Sequence, residues 1–184
     1  GGDQSFVAFS AGLLHCRDYA FVNVGSGAFI QAICDELPKQ TRLLKSPLFI
    51  GRSLRYHVLE GTVNAAASAL DELFKEIGLQ SHADIQHALN TVSDAPIYLN
   101  LSAGSGSPYW LDAGTSSFSY DAGNEQKIVA VLENVVFSLT ANWRNMQPYC
   151  NATQIAISGG LSLYDAFCQK LADCTGLSVT RFSD

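Results

Sequence analysis

Apolar positions fall into distinct patterns along the chain. Tyr19-Ala-Phe-Val-Asn-Val24 is a short block of β formers stopped by Gly25-Ser-Gly27, and a second block, Ala28 to Ile33, follows at once. That pattern predicts strand, glycine turn, strand. Shorter blocks predict further strands at Pro47 to Ile50, Leu54 to Leu59, Ile97 to Leu101, Gln154 to Ile157 and Leu177 to Arg181. A different period begins near Gly61, where Val63, Ala66, Ala67, Leu70, Leu73, Phe74 and Ile77 recur at the spacing of one helix face, with Gly78 as a stop. Ile128, Val131, Leu132, Val135, Leu139, Trp143 and Met146 form a longer stripe and predict a helix over Glu125 to Met146.

Three weaker helices are predicted: Asp3 to Leu14, Ser81 to Val92, and one that Ser162 caps with Asp165 three residues on, ending at Gly176. Residues 102–124, rich in Gly and Ser around Pro108-Tyr-Trp110, form a long loop of the kind that is usually functional or partner-facing. Strands first, then alternation with long helices, predict an α/β layered domain. Two of its strands empty into glycine turns, where ligands of open α/β sheets tend to sit.

Composition narrows the classes. A chain of 184 residues fits one domain, with 47% hydrophobic and 15% charged residues. A net charge of −6 argues against nucleic acid as a partner, which calls for a basic stripe. The absence of an apolar run of about 18 residues argues against a membrane span. Five cysteines, odd in number and without a CxxC pair, predict free thiols and a cytoplasmic protein. His15, His57, His82 and His87 show no ligand spacing, so no metal site is expected from this chain.

Three elements carry candidate chemistry. Gly25-Ser26-Gly27 can offer successive N–H groups and a hydroxyl to an anion, with room for a ligand at the backbone and freedom for φ > 0. Ser158-Gly159-Gly160 lies between a strand and a helix start, where a flat ring or a phosphate can come close. Asp3, beside Gln4 at a helix start, can take a proton from an attacking hydroxyl. Each has a plainer reading: hairpin turn, tight connection, helix cap. No Walker A sequence is present, so a phosphate site would be of another kind.

In this order and at these distances, the elements resemble the FGGY carbohydrate kinases, the family of glycerol kinase, xylulokinase and gluconokinase. The resemblance spans nearly the whole chain. Gly2-Asp3-Gln4 looks like the opening motif of that family's second domain, and Gly25-Ser26-Gly27 like its Gly-Thr-Gly turn. Leu59-Glu60-Gly61 resembles its LEG helix start, and the segment from Gly106 through Pro108-Tyr109-Trp110 to Asp112 its PYWD loop. Ser158-Gly159-Gly160 with Tyr164-Asp165 looks like its adenosine turn, and Leu171 to Val179 like its LADxxGxxV stretch.

The resemblance implies a ribonuclease H-like domain of the actin/hexokinase/Hsp70 class, a mixed sheet flanked by helices. It implies that residues 1–184 are the C-terminal nucleotide-binding domain of an ATP-dependent sugar or polyol kinase, lacking the N-terminal domain and the final helix. Asp3 would be the catalytic base. Gln4 and Phe29 would face the sugar. Gly25, Ser26 and Gly27 would cradle the phosphates of ATP or ADP. Gly159 and Gly160 would back the adenosine, with Ala67, Asp71 and Tyr164 beside the nucleotide. Mg²⁺ would be held mainly by the missing domain of the same chain, so the chain alone is expected to be inactive. A homodimer is a further partner to test. The departures are Ser26 in place of Thr and Tyr164 in place of an adenine-facing Asn. The rival expectation is an actin-like domain that binds nucleotide without catalysis.

Overall fold

The computed structural model describes residues 17–50, 54–78 and 82–182. Four strands, β1 (Tyr19–Val24), β2 (Ala28–Cys34), β3 (Leu44–Ile50) and β4 (Leu54–Val63), precede helices α1 (Ala67–Ile77) and α2 (His82–Thr91). A short pair, β5 (Tyr98–Leu99) and β6 (Ser117–Phe118), leads into the long helix α3 (Asn124–Met146). Then come β7 (Gln154–Ser158), α4 (Asp165–Thr175) and β8 (Ser178–Arg181). The main sheet has the order β3-β4-β2-β1-β7-β8. Its first four strands are antiparallel to their neighbours, whereas β7 and β8 join parallel beside β1. A mixed sheet of this kind needs crossover helices only on its parallel side, where α4 links β7 to β8.

Alternation along the strands divides the core. Ala20, Val22 and Val24 of β1 and Ala28, Ile30 and Ala32 of β2 join the cluster that the helices cover. Phe21, Phe29 and Ala156 pack on the opposite face. β2 is buried along its whole length because it lies between two strands with both faces covered. Its one long polar side chain, Gln31, donates from Nε2 to the Glu60 carboxylate across the strand pair (2.5 Å), which offsets part of the cost of burial, while its Oε1 finds no partner among the described residues. Helix α3 supplies the central stripe, with Ile128, Leu132, Leu139 and Trp143 all buried. Full burial of one such aliphatic side chain is worth about 1.5–3 kcal/mol.

Several boundaries differ from the pattern reading. The helix expected from Gly61 begins at Ala67, because Gly61 and Val63 continue β4 and pair with Ile30 and Ala28. Gly61 has a packing role there: a Cβ on it would stand 2.4 Å from the Asn142 side chain, so α3 crosses β4 over this residue. The strand expected over Ile97 to Leu101 shrinks to two residues outside the main sheet, and Ile97 is 71% exposed. Ser162 does not cap α4. It lies in a 3₁₀ turn (Gly160–Leu163) and its hydroxyl donates back to the Gly159 carbonyl (2.7 Å), while Asp165 pairs with Arg181. The helix expected at Asp3 to Leu14 lies outside the described residues. No helix among the described residues is long and apolar enough to cross a membrane.

Candidate functional site

β1 and β7 run parallel and end side by side, Asn23 level with Ser158, so both glycine turns emerge at the same edge of the sheet. The Asn23 Nδ2 donates to the Ser158 Oγ (2.8 Å) and ties the two strand ends together. The turn after β1 is fixed from inside and from below. The Gly25 N–H donates to the Gly27 carbonyl (2.9 Å). The Ala67 and Ser68 N–H groups at the start of α1 donate to the Gly25 and Ser26 carbonyls (3.1 and 3.2 Å). These two orphan donors of the helix start are thereby satisfied, and the Ser26 side chain is left exposed at the tip. Neither Gly25 nor Gly27 adopts a positive φ, so the conformational reason expected for these glycines does not hold. For Gly27, space is the better reason: a Cβ on it would lie 3.2 Å from the Val63 carbonyl oxygen.

The second turn divides its work between two glycines. Gly159 has φ 91°, and a Cβ on it would stand 2.4 Å from the Val24 carbonyl oxygen. It presses against the end of β1. Gly160 has nothing within 4 Å of its Cβ position and faces open space.

That open space is a cavity of about 580 Å³. Val24, Gly25, Ser26, Gly160, Leu161 and Tyr164 line one side; Ala67, Leu70, Asp71, Phe74 and Lys75 of α1, with His82 and Ile85 of α2, line the other. A second cavity of about 570 Å³ opens on the far side of the first glycine turn, lined by Asn23, Gly25 to Phe29, Thr62 to Ala65 and Ala103. Gly25 and Ser26 belong to both. The Gly-Ser loop buttresses the second cavity. Asn100 Nδ2 donates to the Ala65 carbonyl (2.8 Å), the Thr62 N–H donates to Ser107 Oγ (2.7 Å), and Asn64 Nδ2 donates to the Ala103 carbonyl (3.1 Å). These bonds hold Ala65 at φ 49°, an unusual conformation for a residue with a Cβ.

The structure therefore brings Gly25, Ser26, Ala67, Asp71, Gly160 and Tyr164 around one cavity, with Gly27 and Phe29 on the next. Gly159 lies behind the wall rather than on it. Asp3 and Gln4 lie outside the described residues. Pattern reading missed Lys75 and His82. Lys75 was legible, being four residues from Asp71 on one helix face, whereas His82 depends on how α2 packs back over α1. Tyr164 is 4% exposed; its ring lies tilted against His82, and its hydroxyl shares a hydrogen bond with His82 Nδ1. Burial holds the Tyr164 hydroxyl above its ordinary pKa.

Residues 20–184 match the FGGY family of carbohydrate kinases, C-terminal domain. The chain belongs to this family. It is 27% identical over 191 residues to an uncharacterized sugar kinase of Archaeoglobus fulgidus, covering 97% of this chain and 38% of that one. It is 28% identical over 170 residues to glycerol kinase of Rhodopseudomonas palustris, covering 85% and 34%. Among solved structures, Plasmodium falciparum glycerol kinase with ADP superposes with a TM-score of 0.85 at 17% identity, over 98% of this chain and 38% of that one. Xylulose kinase of Rhodospirillum rubrum superposes at 0.82 with 19% identity, over 100% and 38%. The FGGY chain here thus has the actin/hexokinase-like ATPase fold and spans little more than a third of the length of these relatives.

Proposed function

We propose that this chain is the C-terminal nucleotide-binding domain of an ATP-dependent kinase that phosphorylates a sugar or polyol hydroxyl. The supporting observation is the position of Gly25 and Ser26 on the wall shared by two cavities, one between the glycine turns and the first two helices, the other reaching to Phe29. Adenosine fits the first: Val24, Leu70, Phe74, Ile85 and Leu161 offer apolar surface to a purine, and the bare Cα of Gly160 leaves the ring room to approach. Asp71, Lys75 and His82 supply polar groups at its walls. The phosphates would lie along the turn, where the exposed Ser26 hydroxyl can donate to them. The acceptor hydroxyl would then lie on the Phe29 side, and Asp3 would take its proton.

When bound, ATP supplies the phosphoryl group that the hydroxyl accepts. The work of this chain is to hold both reactants in line and to exclude water, which is most of what phosphoryl transfer requires of a protein. Among the described residues no group of three or more His, Cys, Asp or Glu is arranged to hold a metal. Mg²⁺ would be held mainly by the N-terminal domain, which would also complete the sugar pocket. The test is Asp3→Asn in the full two-domain enzyme, with turnover and ADP binding measured side by side. Loss of turnover with ADP binding retained supports the reading. Turnover near that of the wild type removes Asp3 as the base, and a domain without turnover in any variant is a nucleotide binder only.

A further inference from the structure

We infer that Cys34 and Cys150 form a paired oxidation site, closing to a disulfide at the end of the sheet remote from the glycine turns. The inference is independent of the kinase reading. Cys34 is the last residue of β2, and the chain at Cys150 forms an antiparallel β-bridge with it. Residues facing each other in an antiparallel pair have Cα atoms about 4.5–5.5 Å apart. A disulfide takes Cα separations of about 4.4–6.8 Å, so either kind of antiparallel pair suits it. Both side chains lie on the helix-covered face: Cys34 is in the main core cluster and Cys150 packs against it. Both are free thiols.

The surroundings favour the reaction. The Cys34 thiol donates to the His57 carbonyl (3.7 Å). The neighbouring Cys150 thiol draws the Cys34 pKa below its ordinary value, against the opposing effects of burial and Asp35. The same interaction, with burial, pushes Cys150 up. Cys34 is buried, but Cys150 is only half-buried and is flanked by exposed Tyr149 and Asn151, which gives a small oxidant a way in. The Cys168 thiol bonds to the Ser162 carbonyl (3.4 Å) near the nucleotide-side turn, far along the sheet from this pair.

Hydrogen peroxide is the co-reactant. One sulfur attacks a peroxide oxygen, the O–O bond breaks, and water leaves a sulfenic acid behind. The second sulfur attacks that sulfenic sulfur and displaces its oxygen as a second water, which carries away the remaining thiol proton. The two sulfurs lose two electrons and the peroxide gains them. The resulting bond would join the end of β2 to the segment before β7, beyond the start of β1, the strand that separates those two in the sheet. Six residues of β2 separate this bond from the glycine turn, about 20 Å of strand.

The test is to treat the reduced, folded protein with a few equivalents of hydrogen peroxide, alkylate the remaining thiols, digest, and map the peptides by mass spectrometry. The expected product is a Cys34–Cys150 linked peptide pair, about 2 Da lighter than the reduced pair and restored by dithiothreitol. Tm should rise by about 5–15 °C on oxidation, because the bond closes a long loop. Cys150→Ala should lose both the linked peptide and the rise. Alkylatable Cys34 and Cys150 after oxidation that consumes the other thiols would overturn the inference. So would a link that forms only in urea, or an oxidised wild type that pairs other cysteines.

Discussion

The backbone of Gly159 lies against the backbone of Val24 so closely that a Cβ would come within 2.4 Å of the Val24 carbonyl oxygen, while its neighbour Gly160 faces open space. Two adjacent glycines therefore answer to different demands. Gly159→Ala meets both a backbone clash and a positive φ, and should lower stability by about 2–4 kcal/mol whether or not nucleotide is present. Gly160→Ala should leave the ligand-free Tm within about 2 °C of the wild type. Thermal melts of the two variants without ligand check this, and equal losses would show that the turn is structural at both positions.

Gly25 is expected to behave like Gly160. The nearest atoms to a Cβ built on it are 3.8 Å away, which is ordinary contact. Gly25→Ala should fold normally. Gly25→Val places a branched side chain where the two cavities meet, and should weaken ADP binding about tenfold or more. Calorimetric titration with ADP reads the effect. A ligand-free Tm many degrees lower would mean that the turn matters to the fold before it matters to a phosphate.

Tyr164 gives a prediction in pH. Its hydroxyl is held above its ordinary pKa by burial. The folded state then keeps a proton that the unfolded state releases near pH 10, so this contribution is fully present below about pH 10 and is lost as pH rises beyond it. Tyr164→Phe should flatten the decline in Tm above about pH 10 relative to wild type. At neutral pH the same change removes the His82 bond and should cost about 1 kcal/mol, whereas Tyr164→Ala should cost about 3 kcal/mol. Identical alkaline slopes for wild type and Tyr164→Phe would contradict the burial argument.

Much of this was legible in the sequence, for physical reasons that differ between elements. The β1–turn–β2 hairpin was readable because Tyr19–Val24 and Ala28–Cys34 are each short, apolar and separated by a glycine turn. Helix α3 was readable because its stripe keeps the 3.6 period over 23 residues. The start of α1 was misread because Val63 fits a helical stripe as well as a strand, and only pairing with Ala28 decides between them. The split between Gly159 and Gly160 was invisible, since it depends on which neighbour the β1 backbone meets. The same holds for His82, whose contact with Tyr164 joins residues 82 positions apart.

In the full-length protein, Asp3→Asn should lower kcat by about 10²-fold or more with little change in the KM for ATP, as expected of the proposed base acting at the chemical step. Steady-state kinetics at saturating sugar read it. A change confined to KM would place Asp3 in binding rather than in proton transfer.

The most direct measurement is the ADP-dependent shift in Tm of the wild type beside that of Gly160→Val. At about one hundred times the Kd, ADP should stabilise the wild type by about 2.7 kcal/mol, a rise of roughly 5–10 °C for a chain of this length. Gly160→Val should match the wild type without ligand and lose most of that rise, because its side chain would enter the open space that the proposal gives to the adenosine. A wild type that shows no shift at millimolar ADP, or a Gly160→Val variant that shifts as fully as the wild type, would contradict the assignment of this cavity to the nucleotide.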